Sequence, residues 1–374
     1  MRSRPFLLIA CAVLLPSLTA CAEGAEEPPP LSAEALAAVR ENPGAPTERL
    51  AREVDDLFAR DGIGETRALI VMHGGEIAAE RYADGYGPDT RFIGWSMSKT
   101  VTGVLIGMLV AEGRLRLDDP APVEHWQRPG DPRGAITLRH LLQMRSGLRH
   151  EEKAEPVYES AEVRMLFLDG RDGMARFAAA QPLEYEPGTR FQYSTPSTLI
   201  LSDIIARVLA PDGDPAARRE AVDAFLRGRL AGPLGLDSLI AEYDAAGTLI
   251  GGSMVWADAP DWARLGEFLR RKGLAGGVPL VPRSWIDFMT SASPRSPDYG
   301  GQLWLNRPSG AEREVLFPER GPEDLFAMVG HLGQYVMVSP SRRLTLVRLG
   351  HTAGEERGAL EEELADIVDL YPAR

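Results

Sequence analysis

Strand signals stand at both ends of this chain with helical ones between them, and that order most limits what it can fold into. Ala68 to Met72, the turn His73-Gly74-Gly75, and Glu76 to Tyr82 read as two strands joined by a tight glycine turn. Tyr299 to Asn306, Phe326 to Val329, Gln334 to Ser339 and Leu344 to Leu349 are short apolar runs split by glycine or Pro-Ser-Arg-Arg turns, and Glu355 to Tyr371 closes as an amphipathic helix. The middle, roughly 115–250, reads as helix and loop. It includes a short helix capped by Thr137 through His140-Leu-Leu142 and an apolar run from Ser197 to Leu209. Such an order implies an α/β (α+β) chain with one antiparallel sheet built from N- and C-terminal segments, flanked by helices, and an inserted mainly helical region.

Ser96 to Glu112 has a helical pattern, with Gly103 and Gly107 four apart as expected for close helix packing. Its uninterrupted apolar or small run of about eleven residues is too short to cross a bilayer, so it reads as a buried core helix. Ser32 to Arg40 and Thr47 to Arg60 also read as amphipathic helices, and the folded domain is expected to occupy 47–374.

Arg2 and Arg4, the apolar stretch Phe6 to Leu15 and the small residues Thr19 and Ala20 follow the order of a secretory signal peptide, residues 1–20. Leu18-Thr-Ala-Cys21 resembles a bacterial lipobox, which implies lipidation of Cys21 and a lipid-anchored tether over 21–46; the plainer reading is a signal peptide with an incidental cysteine. The first reading places the protein in the bacterial cell envelope, periplasmic or on the outer surface, associated with a membrane through its anchor. The only cysteines are Cys11 and Cys21, so the domain has no internal disulfide and no Cys/His zinc site, and the six histidines show no H-E-x-x-H pattern. No metal is expected. A net charge of -13 argues against nucleic acid as a partner.

The chemistry concentrates at Ser96-Met-Ser-Lys99, where a serine at a helix N-terminus and a lysine three residues on share one face. A serine hydroxyl becomes a nucleophile when a neighbour takes its proton, and a buried lysine can give up its own proton to do so, whereas arginine cannot. The helix N-terminus adds amide donors for an oxyanion. The S-x-x-K pattern is common, and its serine is often only a helix cap. Composition sharpens it: the chain has three lysines, Lys99, Lys153 and Lys272, against 38 arginines, and Lys99 lies beside a strongly apolar helix.

Ser96-x-x-Lys99, Tyr193-Ser194-Thr195 and His331-Leu332-Gly333 together resemble the three motifs of class C β-lactamase-like serine hydrolases. Gly330-His-x-Gly-Gln334 and Phe191-x-Tyr-Ser are most similar to the branch containing 6-aminohexanoate-dimer hydrolases and related esterases. The resemblance covers about residues 60–350 and implies a β-lactamase/transpeptidase-like fold. It implies Ser96 as nucleophile, Lys99 as an aid to its deprotonation, and Tyr193 as the group exchanging protons with Ser96 and the leaving group. It further implies an oxyanion hole from the backbone N–H groups of Ser96 and Gln334, with Thr195, His331 and Gly333 binding substrate. No cofactor is implied.

Two departures bear on substrate. Thr195 replaces the asparagine of Tyr-x-Asn and removes an amide that would grip a substrate amide. His331 stands where β-lactamases carry the lysine of Lys-Thr-Gly and offers less charge to a carboxylate. The expected activity is hydrolysis of an ester or linear amide, with a small-molecule ester, amide or peptide as partner. The competing readings are a D-alanyl carboxypeptidase or β-lactamase acting on cell-wall peptides or drugs, and a non-catalytic envelope binding protein. The other histidines, among them His150, read as surface or core residues, and a loop near 150–175 is the candidate lid.

Overall fold

Along the strand Leu344–His351, Leu344 and Leu346 enter one apolar core while Val347 and Leu349 enter another. This two-residue alternation makes a strand a wall between two layers. The neighbouring strand repeats it, with Tyr335 and Met337 on the first side and Val336 and Val338 on the second.

The computed structural model describes residues 30–310, 313 and 315–373. The proposed signal peptide, Cys21 and tether residues 21–29 lie outside the described residues. From Leu31 onward the chain forms one unit. Its strands are β1 Glu65–His73, β2 Glu76–Tyr82, β3 Arg91–Ile93, β4 Ile240–Ala241, β5 Val255–Asp258, β6 Leu274–Ala275, β7 Val278–Pro279, β8 Trp304–Leu305, β9 Phe326–Gly330, β10 Gln334–Ser339 and β11 Leu344–His351. Its helices are α1 Ala33–Ala38, α2 Thr47–Ala59, α3 Ser98–Ala111, α4 Leu138–Leu142, α5 Ala161–Phe167, α6 Met174–Ala179, α7 Thr195–Leu209, α8 Pro215–Leu226, α9 Gly232–Leu234, α10 Ala259–Arg270, α11 Arg283–Met289 and α12 Arg357–Asp369.

The main sheet has the order β2-β1-β11-β10-β9-β8, and every pairing is antiparallel. Ile70 of β1 and Val336 of β10 both stand opposite Val347 of β11, so the two chain ends meet at the sheet's centre. Helices α2 and α12 cover one face, and α3, α7 and α10 contribute to the core on the other. This is the architecture expected from the order of strand and helix signals.

Helix α3 is packed through its glycines. A Cβ on Gly107 would stand 2.2 Å from Trp285 Nε1, and that indole N–H donates to the Gly103 carbonyl at 3.1 Å.

Two expectations change. The packed chain begins before residue 47: Ser32 caps α1, Ala35 is buried, and the Arg40 N–H donates to the Ala78 carbonyl, tying this stretch beside β2. The run Tyr299 to Asn306 is a strand only at Trp304–Leu305, because Gly300 folds back onto the Leu303 carbonyl and Gln302 takes a left-handed φ of 65°.

Candidate active site

Strand β3 is followed by Gly94, whose N–H is held by the Val255 carbonyl at 2.8 Å, and the backbone then swings through Trp95 at φ 46° into a single 3₁₀ turn, Trp95–Met97. A left-handed bulky residue costs about 1–3 kcal/mol and persists only where its surroundings dictate it. The turn places Ser96 ahead of α3 rather than in its first turn, half-buried, at the positive end of a buried helix.

Lys99, one turn on and 1% exposed, has three acceptors for its ammonium: Ser96 Oγ at 2.9 Å, Thr195 Oγ1 at 2.8 Å and the Gly252 carbonyl at 2.9 Å. Gly252 must be a glycine for this approach, since a Cβ there would lie 2.8 Å from both Thr195 Cγ2 and Leu199 Cδ2. Burial pushes Lys99 towards the neutral amine, but Tyr193, Glu152 and Glu162 outweigh it and its pKa ends above the usual lysine value. Burial therefore does not by itself discharge this lysine, contrary to expectation.

Tyr193 sits beside Ser96 and Lys99, and burial raises its pKa, which keeps it a neutral phenol. Its ring stacks on Trp304 at 5.1 Å, meets Tyr299 edge-on at 5.8 Å, and lies 5.0 Å from Lys99 Nζ. Ser194 caps α7 by accepting from the Ser197 N–H, and its hydroxyl donates to His150 Nδ1 at 2.9 Å. His150 is a buried core residue whose other nitrogen donates to the Ala178 carbonyl, and burial holds its pKa down at about 4.

Thr195 does not face substrate. It is fully buried beneath Lys99, its N–H donates to Glu152 Oε2 at 2.7 Å, and its Oγ1 lies 2.5 Å from Glu152 Oε1 and 3.0 Å from Glu162 Oε1. Neither glutamate is singled out by the motifs in the sequence. The signal available is the run His150-Glu-Glu152, acidic residues in a stretch whose apolar spacing demands none.

The turn between β9 and β10 closes the site. A Cβ on Gly330 would meet the Gly94 carbonyl at 2.4 Å, so the end of β9 abuts the nucleophile turn. His331 is exposed, edge-on to Trp95 at 5.6 Å, and partial desolvation lowers its pKa, leaving it neutral at pH 7 as expected. Gly333 is buried behind the turn, with φ 78° and its carbonyl accepting from Arg348 Nη1, so it too is structural rather than substrate-facing. The side-chain amide of Gln334 knits the turn together through the carbonyls of His331, Leu332 and Gly350. Among the described residues the one acidic cluster with metal-compatible spacing is Glu53, Glu363 and Asp366, on α2 and α12 and remote from Ser96 in the fold.

Known proteins resemble this chain in sequence and in fold. The Beta-lactamase family model matches residues 54–369. The 6-aminohexanoate-dimer hydrolase of Paenarthrobacter ureafaciens is 28% identical over 325 residues, 83% of this chain and 80% of its own. Esterase EstB of Burkholderia gladioli is 36% identical over 160 residues, 40% of this chain and 38% of its own. The solved structure of EstCE1, a hydrolase with promiscuous acyltransferase activity, shares the fold with a TM-score of 0.61 at 19% identity, covering 86% of this chain and 98% of its own.

Proposed function

Because the chain belongs to the beta-lactamase family, whose model matches it over residues 54–369, we propose that it is a serine hydrolase cleaving an ester or linear amide through an acyl-enzyme on Ser96. The fold is β-lactamase/transpeptidase-like. One observation carries the reading: Lys99 Nζ stands 2.9 Å from Ser96 Oγ, and the Tyr193 ring lies 5.0 Å from the same nitrogen. A binding protein has no need of a buried lysine and a half-buried tyrosine converging on one half-buried serine.

In acylation Ser96 Oγ attacks the substrate carbonyl carbon while its proton leaves towards Lys99. The oxyanion that forms is met by the backbone N–H groups of Ser96 and Gln334, and α3 adds its positive end. Tyr193 carries a proton to the leaving alcohol or amine. Water then attacks the acyl-ester, the same groups act in reverse, and Ser96 is restored.

The relatives named for hydrolysis of an aminohexanoate dimer and of esters support a linear amide or ester substrate. With Thr195 buried, the feature left to weigh against β-lactams is His331, a neutral ring where a cation would meet a carboxylate. We also place the protein in the bacterial cell envelope, held by lipid on Cys21, on the support of the order of residues 1–21; Cys21→Ser should then leave the membrane fraction.

The deciding experiment is intact-protein mass spectrometry after a fluorophosphonate probe. A single adduct present in wild type and lost in Ser96→Ala is the expected result. An adduct that survives the substitution, or none on folded wild type, would overturn the reading and favour a binding protein.

A further inference from the structure

Three groups crowd one hydroxyl in this site. Thr195 Oγ1 has one proton and two lone pairs, and it lies 2.8 Å from Lys99 Nζ, 2.5 Å from Glu152 Oε1 and 3.0 Å from Glu162 Oε1. Lys99 donates to one lone pair. Thr195 can give its single proton to one carboxylate, so the other is satisfied only if it carries a proton and donates to the remaining lone pair. The arrangement is complete when one proton resides on the glutamate pair.

That proton has a use. As an ammonium, Lys99 fills its three contacts by donation and has no lone pair for Ser96. As an amine it still donates to the Gly252 carbonyl and Thr195, and its lone pair faces the Ser96 hydroxyl.

Resting on the serine hydrolase reading above, we propose that Glu152 is the proton acceptor that discharges Lys99, with Thr195 Oγ1 as the relay oxygen. One Lys99 N–H bond breaks as a new O–H bond forms on Thr195, and the original Thr195 proton passes to Glu152 Oε1. Ammonium and carboxylate become amine and carboxylic acid, with no net charge created; because Lys99 holds its proton more tightly than Glu152 does, the amine form is the minor one through which Ser96 reacts. Afterwards Glu152 donates to Thr195, Thr195 turns its proton to Glu162, and the amine rotates about its Cε–Nζ bond, so that its two remaining N–H bonds meet Thr195 and the Gly252 carbonyl and its lone pair meets the Ser96 hydroxyl. Glu152 touches no reacting atom; it is a positioning residue for the Lys99 proton. The Thr195 N–H on Glu152 Oε2 fixes the carboxylate for the transfer.

The charged and titratable groups facing this unit are Glu162 from α5, Lys99 from α3 and Tyr193 ahead of α7, with His331 and Lys153 beyond Glu162 and neutral His150 beneath Ser194. Burial first, and Glu162 second, push the Glu152 carboxyl up to about 7. Glu152 accepts a proton only when ionised, so Ser96 reactivity should rise with pH through that region.

The test follows the rate of fluorophosphonate labelling of Ser96 against pH in four proteins: wild type, Glu152→Gln, Thr195→Val and Thr195→Ser. The amide introduced by Glu152→Gln retains the contacts to Thr195 but cannot accept a proton. The expected result is an acid limb near 7 in wild type, labelling slower by about tenfold or more above it in Glu152→Gln, and a limb displaced upward by about one unit or more. Thr195→Ser should keep the wild-type limb and Thr195→Val should lose it, which decides the matter even if Glu152→Gln folds poorly. Unchanged limbs in Glu152→Gln and Thr195→Val, with Ser96 still labelled, would overturn the relay and leave the hydrolase intact. A wild type that does not label at all would instead remove the hydrolase reading, and the relay with it.

Discussion

Lys99 and Glu152 meet on a single oxygen, Thr195 Oγ1, which lies 2.8 Å from the Lys99 ammonium and 2.5 Å from the Glu152 carboxylate. A cation and an anion held one atom apart in a buried site have consequences for stability as well as for reactivity.

Glu152 should cost the fold stability at alkaline pH. Its carboxyl is raised from 4.5 to about 7, so the native state binds a proton that the unfolded chain has already released. Stability therefore falls as pH rises from about 4.5 through about 7, and the loss is complete above that range. Glu152→Gln should remove the dependence, making the variant more stable than wild type above neutrality by on the order of 3 kcal/mol, with the gap closing in acid. Urea unfolding at acid and alkaline pH measures both limits.

Lys99→Arg should fail despite keeping the charge. Arginine does not release a proton at any working pH, and its planar fork does not match two hydroxyls and the Gly252 carbonyl converging on one nitrogen. The expected loss in kcat is on the order of 10²–10⁴-fold, read from ester turnover with thermal unfolding as the control for folding.

His331→Lys should move substrate preference and little else. The ring is exposed at the rim against Trp95 and neutral at pH 7, so lysine adds a cation where the substrate enters. A matched pair of esters with and without a distal carboxylate should shift by about tenfold in relative kcat/KM towards the acid. An unchanged ratio would place His331 away from the substrate.

Gly107→Ala should destabilise without touching the chemistry. The new methyl would stand 2.2 Å from Trp285 Nε1, forcing α3 and α11 apart at a cost of about 1–3 kcal/mol. Denaturant unfolding should report the loss, while kcat of the folded fraction stays at the wild-type value.

The sequence reveals the parts of this molecule that obey a period. The hairpin of β1 and β2, the strands Phe326–Gly330, Gln334–Ser339 and Leu344–His351, and the Thr137-capped helix all announce themselves through alternation, glycine turns or a cap. Strands β3, β4 and β5 are two to four residues long, too short for alternation to register, yet β3 leads directly to Ser96. Ser96 and Lys99 are neighbours on one turn, so their contact is legible from spacing. Glu152 and Thr195 are 43 residues apart and meet only through the packing of the 150–162 segment on α7. The place of Thr195 in the Tyr-x-Asn pattern points it at substrate; its burial under Lys99 reassigns it to the proton path.

The strand β11 lies at the middle of the sheet, between β1 and β10, although it comes near the end of the chain. Arg348 on it donates to Thr66, 282 residues away, as well as to the Gly333 carbonyl behind the candidate oxyanion turn. Synthesis and folding are therefore out of step. The β1–β2 hairpin emerges early with β1 open along one edge, and such an edge invites pairing with another chain. Its proper neighbour, Leu344–His351, is made much later, and the loop to be closed is long, which makes for slow assembly. A nascent chain of this kind gains from being held unfolded until release, and a product truncated before Leu344 loses the centre of its sheet rather than an edge.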